Sequence, residues 1–390
     1  MADKSTLRFR EDGSFHIMVV GDIHEKNRVD ASSEDYERLI RRALDELKPD
    51  LAILMGDIIS GGYHEDDGTR RNATPQELQQ SVRRVVAPFR ELGVPLASVF
   101  GNHDGEGGEP KELFLRLFQE EYDRYLVTDT PGITGCGNCN LIIRARASER
   151  DAFNLWLVDS GNRAPKGMGK YAYVKNDQIR WYEEKSAALR EANGGKPLPA
   201  MLFQHIPVWE EYLLLKKTCV LNPYHTRGSC SWEKSCFVPN EKILCGYVGE
   251  GPCTPDINSG QFDSWKAQGD ILAAFFGHDH MNDFIGLHEG IYLLQNKCAG
   301  FHIYGDGLKQ GVRSVILNEQ NPRSFQTRMV RYREFFGTDR KSIPFLELFP
   351  DRWHRNFYAG LKLAGGAAAA GVAVGAVVAA TKVIKKKRKG

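Results

Sequence analysis

Two histidines stand two residues apart, just after a run of apolar residues. The segment from Ile271 to Phe276 is entirely apolar and predicts a buried β-strand, and His278 and His280 follow it closely. Side chains two positions apart on an extended chain point to the same face, so both imidazoles can reach one site. Because neutral imidazole is a common metal ligand, this strand end is a candidate metal site.

Four earlier segments repeat this arrangement, with polar residues directly after an apolar strand. The side chains of ligand or acid–base type at these strand ends are Asp22, His24, Asp57, Asn102, His103, Asp104 and His205. Oxygen donors combined with imidazole suit Mn²⁺, iron or Zn²⁺, not a thiolate site. A single Asp or His at a strand end is more often a cap, but five such ends favour one shared metal site. The number of donors suits two cations in this shared site. Because two adjacent cations repel each other, one aspartate is expected to bridge them.

Alternating strands and helices are predicted to carry these residues. Apolar runs predict strands at 15–20, 51–55, 95–100, 140–146, 154–158, 198–203, 271–276, 284–294, 314–318 and 326–332. Helices are predicted over 33–47 and 178–192, and Thr74, Pro75 and Glu77 form a helix start with a capping box. This alternation indicates an α/β fold with parallel βαβ units, whose sites lie at the carboxyl ends of the strands.

The five motifs, in this order, resemble those of the calcineurin-like metallophosphoesterase family. The resemblance covers residues 16 to about 305 and points to the branch that contains plant purple-acid-phosphatase-like proteins and fungal Dcr2-type phosphatases. The stretches Asn282-Asp283-Phe284 and Asn258-Ser259-Gly260 are also similar to that branch. The resemblance implies a two-layer β-sandwich flanked by helices.

The resemblance also implies two metal ions with Asp57 between them. One ion would be held by Asp22, His24, Asp57 and His280, and the other by Asp57, Asn102, His205 and His278. His103 would face the phosphate and stabilise the transition state or protonate the leaving group, with Asp104 holding its imidazole. The ions, about 3.5–4 Å apart, would lower the pKa of a bridging water, and the resulting hydroxide would attack phosphorus in line.

The implied function is a dinuclear-metal-dependent phosphoester hydrolase, expected to be a phosphatase that acts on phosphorylated proteins or small molecules. Purple enzymes have a tyrosine ligand close after the second aspartate, but Ser60 stands three positions past Asp57 and the nearest tyrosine is Tyr63. A colourless site with Mn²⁺ or with iron and zinc is therefore expected. Two alternatives remain: a phosphodiesterase acting on a nucleotide or lipid headgroup, and a membrane-tethered binding scaffold with the same fold.

Several other polar residues are candidates for smaller roles. Cys136 and Cys139 have redox spacing but precede no helix, so a turn with two thiols is expected. Residues 208–260 form a predicted irregular insertion that overhangs the site, and its five cysteines, from Cys219 to Cys253, leave a disulfide or zinc site open. His302 is a candidate pocket residue. The other histidines without motif support, which we expect at the surface, are His64, His225 and His288.

Composition indicates a soluble globular protein: 42% of the 390 residues are hydrophobic and 26% are charged. A formal net charge of +2 and no basic stripe in the catalytic region argue against a nucleic-acid partner. The N-terminus has no apolar core of a secretory signal, so the cysteines are expected to be thiols. We predict a catalytic domain over 1–332, a linker over 333–360 and a membrane anchor with a basic tail over 361–390.

The predicted anchor is an uncharged stretch from Leu363 to Thr381 with lysines on both sides. A helix of that length would span about 28 Å, roughly one bilayer core, and is expected to be a single transmembrane helix. Its small residues form a ridge that could promote self-association: Ala367, Gly371, Gly375 and Ala379. The catalytic domain is then expected in the cytosol, at the outer surface of the endoplasmic reticulum, peroxisomes or mitochondria.

Overall fold

The regular elements of the protein follow the predicted alternation of strands and helices. The structure, a computed structural model, describes residues 6–27, 29–64, 70–222, 224–230, 233–339 and 341–342. Its strands are β1 (Leu7–Arg8), β2 (Ser14–Val20), β3 (Leu51–Met55), β4 (Gly62–His64), β5 (Arg70–Asn72), β6 (Leu96–Val99), β7 (Cys139–Arg144), β8 (Asp151–Leu157), β9 (Ala200–Gln204), β10 (Leu215–Thr218), β11 (Thr226–Arg227), β12 (Cys236–Pro239), β13 (Ile243–Cys245), β14 (Ile271–Phe276), β15 (Ile285–His288), β16 (Ile291–Gln295), β17 (Gly311–Asn318) and β18 (Phe325–Arg331). Its helices are α1 (Ala31–Leu47), α2 (Pro75–Leu92), α3 (Lys111–Glu121), α4 (Asn176–Ala192), α5 (Gln261–Gln268) and α6 (Tyr332–Phe336), with short 3₁₀ helices at Trp209–Leu214 and Gly307–Lys309.

Two large sheets bring the polar strand ends together. An eight-stranded sheet has the order β1-β7-β8-β9-β14-β16-β15-β13, and a five-stranded sheet has the order β18-β17-β2-β3-β6. The central strands β8, β9, β14 and β16 run parallel, as do β2, β3 and β6. The predicted α/β fold with two sheets is therefore confirmed. The carboxyl ends of β2, β3, β6, β9 and β14 carry the five motifs.

Local sequence signals explain where the first helices begin and end. Helix α1 starts at Asp30, whose side chain accepts hydrogen bonds from the backbone of Ser32 and Ser33. Helix α2 has the predicted capping box between Thr74 and Glu77 and ends at a left-handed Gly93. Each of these two helices buries one apolar stripe. This packing holds in place the strand ends that carry the motifs.

Three predictions about the second half of the fold are wrong. Residues 284–294 are a hairpin and not one strand, because Glu289 and Gly290 both have positive φ between β15 and β16. The insertion is only partly irregular, since β10, β12 and β11 form a small antiparallel sheet and β13 joins the edge of the large one. His288 is buried, 7% exposed, and packs against Phe262. Its place at the end of a hairpin strand removes it from the surface.

Nothing in the described residues reports on the membrane prediction. No helix in that part of the chain is both long and apolar enough to cross a bilayer. The stretch 363–381 lies outside the described residues, so the anchor and its self-association stay predictions. The predicted linker begins inside a folded element, because its first residues belong to α6. Tyr332, at the start of this helix, donates a 2.7 Å hydrogen bond to Asp35 on α1.

Candidate metal centre

Backbone strain marks three of the predicted ligands. His24, Asp57 and His278 all have positive φ, at 51°, 47° and 72°. Non-glycine residues rarely adopt this left-handed conformation, and they cluster where function requires it. Each of the three lies just beyond a strand end, so the strained turn redirects its side chain into the space between the strand ends.

One group of donors gathers side chains from three strand ends. The ligand atoms of Asp22, His24, Asp57 and His280 lie within 4.8 Å of one another, and all four residues are buried. Nε2 of His24 is 3.3 Å from Nε2 of His280 and 3.7 Å from Oδ2 of Asp57. Nε2 of His280 is 3.5 Å from Oδ1 of Asp22. Four donor atoms therefore converge on one small volume.

A second group shares Asp57 with the first. The ligand atoms of Asp57, His205 and His278 also lie within 4.8 Å of one another. Nε2 of His205 is 3.1 Å from Oδ2 of Asp57. Asn102 is buried, and neither its Oδ1 nor its Nδ2 has a hydrogen-bond partner within the part of the chain that the structure describes. Asp57 thus belongs to both groups, as a bridging carboxylate requires.

The hydrogen bonds at the far side of the imidazoles prepare them to bind cations. Nδ1 of His205 is 2.7 Å from the Met55 carbonyl, and Nδ1 of His280 is 2.9 Å from the Tyr304 carbonyl. A carbonyl only accepts, so each Nδ1 donates and Nε2 is the atom that each ring presents to the centre. Among the described residues, Nε2 of His278 has no hydrogen-bond partner, and Nε2 of His205 faces the shared carboxylate of Asp57. Buried unpaired donors of this kind fit two metal ions.

The pKa values of two histidines favour metal binding, whereas those of His205 and His280 are raised, so a cation must displace a proton there. Burial lowers the pKa of His24 to about 3 and lowers that of His278 as well. Burial alone would raise the pKa of Asp57, but the neighbouring histidines, His205 first, bring it well below its usual range. Burial would lower the pKa of His205, but Asp57 outweighs it and raises the value to about 9. A cation at Nε2 of His205 would replace that proton and take over its pairing with Asp57.

His103 lies beside the two groups and is reachable from solvent. Its side chain is 29% exposed, and its Nε2 is 4.0 Å from Oδ2 of Asp57. Its backbone N–H donates a 2.7 Å hydrogen bond to Oδ1 of Asp57. Nδ1 contacts Oε2 of Glu106, three residues later. The ring is therefore oriented by a carboxylate and lies at the solvent-accessible side of the two groups.

The prediction that Asp104 holds this imidazole is wrong. Oδ1 of Asp104 accepts hydrogen bonds from the backbone of Ile58 and Ile59 at 2.9 and 3.0 Å, and Oδ2 accepts one from Gly101 at 2.9 Å. Asp104 is fully buried, and its carboxylate ties the Asp57 loop to the Asn102 loop and not to the imidazole of His103. The orienting partner is Glu106, which the spacing of three residues after His103 could have suggested.

We expect Asp104→Asn to weaken both folding and metal binding. An amide offers one oxygen, so an NH₂ group must face buried N–H donors on one side. This costs about 2 kcal/mol of unfolding free energy, and metal affinity falls about 10–100-fold as the ligand loops loosen. Urea denaturation and metal titration would measure both, with the exposed Asp263→Asn as control. Unchanged stability and metal affinity would contradict this role of Asp104.

Two tyrosines pack against histidines of the metal centre, and the sequence analysis did not identify them. The Tyr171 ring meets the His278 ring edge-on, with centroids 4.3 Å apart, and the Tyr304 ring stacks on His280 at the same separation. The Tyr304 hydroxyl donates a 3.0 Å hydrogen bond to Glu250 of the insertion. The insertion therefore reaches the centre through Glu250. Neither tyrosine lies in a periodic segment, so no sequence pattern singles them out.

The remaining candidates lie elsewhere. His302 is 2.9 Å from Oδ1 of Asp30 and belongs to neither donor group. All eight cysteines are free, and none belongs to a donor group among the described residues. Burial raises the pKa of Cys136 to about 12 and that of Cys139 to about 11, so neither thiol suits redox exchange.

The site contains two buried sets of oxygen and imidazole donors, and one aspartate at the ends of parallel strands joins them. This arrangement is typical of α/β proteins with a two-metal centre. The chain belongs to the calcineurin-like phosphoesterase family, whose model matches residues 15–282. The resemblance read from the five motifs is thereby confirmed.

Relatives of the chain carry phosphatase names. It is 29% identical over 340 residues to "Probable inactive purple acid phosphatase 14" of Arabidopsis thaliana, a match that covers 79% of this chain and 76% of the relative. It is 24% identical over 299 residues to phosphatase DCR2 of Saccharomyces cerevisiae, covering 71% of this chain and 46% of that protein. The crystal structure of a dimetal phosphatase from Danio rerio matches with 12% identity and a TM-score of 0.49, covering 82% of this chain and 99% of that one.

Proposed function

We propose that the protein is a dinuclear-metal-dependent phosphoester hydrolase that acts on phosphomonoesters. The observation that carries the proposal is the convergence of two donor groups on Asp57, with His103 beside them. The donor set for the two ions is Asp22, His24, Asp57, Asn102, His205, His278 and His280. When bound, the two cations would supply Lewis-acid charge for the phosphoryl oxygens and a water of lowered pKa.

The protein's own residues would orient the ester and handle one proton. His103 is the partly exposed imidazole of the centre, so it can meet the oxygen that leaves phosphorus and donate a proton to it. Glu106 contacts Nδ1 and so holds the ring in one orientation for this step. Tyr171 and Tyr304 cover His278 and His280, so they limit access of bulk water to the ligands.

An inactive scaffold is the rival that the name of the Arabidopsis relative raises. The description "inactive" belongs to that protein. In this chain each predicted ligand position holds a residue able to bind a metal, and the side chains are buried at one place. Buried polar atoms without partners, such as both side-chain atoms of Asn102, would be costly in a scaffold that binds no ion. This supports an enzyme.

Metal content and ester preference test the proposal together. We expect protein expressed with ample Mn²⁺, iron and Zn²⁺ to contain about two metal ions per chain. It should hydrolyse para-nitrophenyl phosphate faster than bis(para-nitrophenyl) phosphate, and chelation should abolish both activities. A reversed preference would favour the phosphodiesterase alternative. No bound metal after metal-replete expression would favour the scaffold.

A further inference from the structure

A hairpin loop over residues 162–172 forms one wall of the metal centre. Its two sides pair through a bridge between Arg163 and Tyr171, and the Ala172 N–H donates a 2.9 Å hydrogen bond to the Asn162 carbonyl. At its tip the Met168 N–H bonds the Pro165 carbonyl at 3.0 Å. The 162–172 hairpin is therefore a defined loop with its own hydrogen bonds.

The hairpin is fixed to the rest of the domain on both sides. At its base, buried Lys111 pairs with Asp159 at 2.7 Å and is 3.4 Å from the Gly161 carbonyl. Near its end, the Lys170 N–H donates a 2.7 Å hydrogen bond to Asp256 of the insertion. Tyr171 is only 7% exposed against His278. The positions of the hairpin's side chains relative to the centre are therefore set by the fold.

Two cationic side chains of the hairpin flank Tyr171. The Arg163 guanidinium carbon lies 5.3 Å from the Tyr171 ring centre, and Nζ of Lys170 lies 4.7 Å from it. Both residues are exposed, the Arg163 side chain by 52%. The hairpin thus holds two positive charges one aromatic ring away from the candidate ligand His278.

Arg163 also lies next to the acid–base pair. Its guanidinium is 4.0 Å from Oε1 of Glu106, whose other oxygen contacts His103. Among the described residues this is the one ion pair of Arg163, and Lys170 forms none. The other carboxylate at the hairpin, Asp256, accepts the Lys170 backbone N–H and keeps its negative charge. The Arg163 guanidinium is half exposed and 4.0 Å from its partner, so it still has N–H donors available for a ligand.

Two exposed cations beside one aromatic ring, at the edge of a metal centre, favour an anionic ligand beyond the scissile phosphate. Arg163 is separated from the donor groups by Glu106 and His103 on one side and by Tyr171 on the other, so its charge lies beyond them. An anion beside the ring would be attracted by both positive charges. A guanidinium also matches the geometry of a carboxylate or phosphate with two parallel hydrogen bonds.

We propose that the 162–172 hairpin selects phosphomonoesters with a second anionic group, a phosphate or a carboxylate, close to the scissile phosphate. Arg163 binds this group directly and Lys170 supports it. The assignment rests on the proposed function for the reaction, but it can be measured by binding alone.

The test compares phosphonates, which bind without being hydrolysed. Calorimetry of Mn²⁺-loaded protein gives the affinity for methylphosphonate and for carboxyalkylphosphonates of increasing chain length. We expect the best carboxylate to improve affinity about tenfold, and Arg163→Gln or Lys170→Gln to remove most of that ratio. Arg163→Lys should retain part of it. Lys166→Gln, the same change of charge at the exposed hairpin tip, should keep the full ratio.

The outcomes separate the hairpin assignment from the reaction. Equal affinity of the unaltered protein for methylphosphonate and for every carboxyalkylphosphonate overturns the assignment. An affinity ratio that survives Arg163→Gln combined with Lys170→Gln also overturns it. If the ratio is present but the same preparation hydrolyses no phenyl phosphate, the proposed reaction fails and the hairpin site stands. If neither phosphonate binds, both fail.

The source of the second anion follows from kcat/KM of matched substrates. A phosphoserine peptide with glutamate beside the phosphoserine is compared with its alanine counterpart, and a sugar bisphosphate with its monophosphate. The pair whose ratio depends on Arg163 identifies the kind of molecule. Dependence in neither pair, despite turnover, contradicts a role of the hairpin in substrate choice.

Discussion

The Asp57→Asn variant is expected to lose about a thousandfold in phosphoester hydrolysis and to bind fewer metal ions than the unaltered protein. Oδ2 of Asp57 lies 3.1 Å from Nε2 of His205 and 3.7 Å from Nε2 of His24, so it is the one carboxylate common to both donor groups. An amide keeps the shape but removes the negative charge that offsets the repulsion between two cations. Losing about 4 kcal/mol of charge stabilisation corresponds to that factor.

Elemental analysis and hydrolysis of para-nitrophenyl phosphate would be measured on the same preparation, with thermal unfolding to show that the variant is folded. Asp45→Asn is the matched control, because Asp45 is 70% exposed on α1 and pairs with a surface arginine, Arg42. It should retain full activity and metal content. Undiminished Mn²⁺-stimulated hydrolysis by Asp57→Asn would show that Asp57 does not bridge.

The ligand positions were predictable because they depend on topology. Parallel strands of one sheet end at the same edge, so polar residues after β2, β3 and β6 must meet, and those after β9 and β14 approach from the other sheet. This holds even where strand limits are shifted by a residue or two. The glycines in the motifs add to it: a Cβ at Gly101 would lie 2.2 Å from Oδ1 of Asp57, so only glycine permits that approach.

The groups around the ligands were not predictable in the same way. Asp104 follows His103 in sequence, but adjacent residues in a turn face different directions, and the carboxylate instead meets the backbone of the Asp57 loop. Tyr171, Tyr304 and Glu250 come from loops without hydrophobic periodicity, so only tertiary packing brings them to the site. The strands of the insertion are too short and too polar for an alternating pattern.

His103→Gln is expected to slow hydrolysis while leaving the metal content unchanged, because His103 belongs to neither donor group. If the imidazole protonates the leaving oxygen, its loss matters most when that oxygen is basic. We expect a loss of about a thousandfold with phenyl phosphate but only about tenfold with para-nitrophenyl phosphate, whose phenolate leaves without help. Initial rates at saturating Mn²⁺ for a series of substituted phenyl phosphates would show this as a steeper dependence on phenol pKa.

A residue that only stabilises charge on phosphorus would give the same loss with every leaving group. If the logarithm of the rate, plotted against phenol pKa, gives parallel lines for the variant and the unaltered protein, the acid role is contradicted. His16→Gln controls for the loss of an imidazole, since His16 lies near the start of β2, away from the strand end that carries Asp22. Glu106→Gln keeps the imidazole but removes its carboxylate partner at Nδ1. Its activity should fall between those of His103→Gln and His16→Gln and show the same dependence on the leaving group as His103→Gln, because an imidazole without its carboxylate partner is held less firmly towards the leaving oxygen.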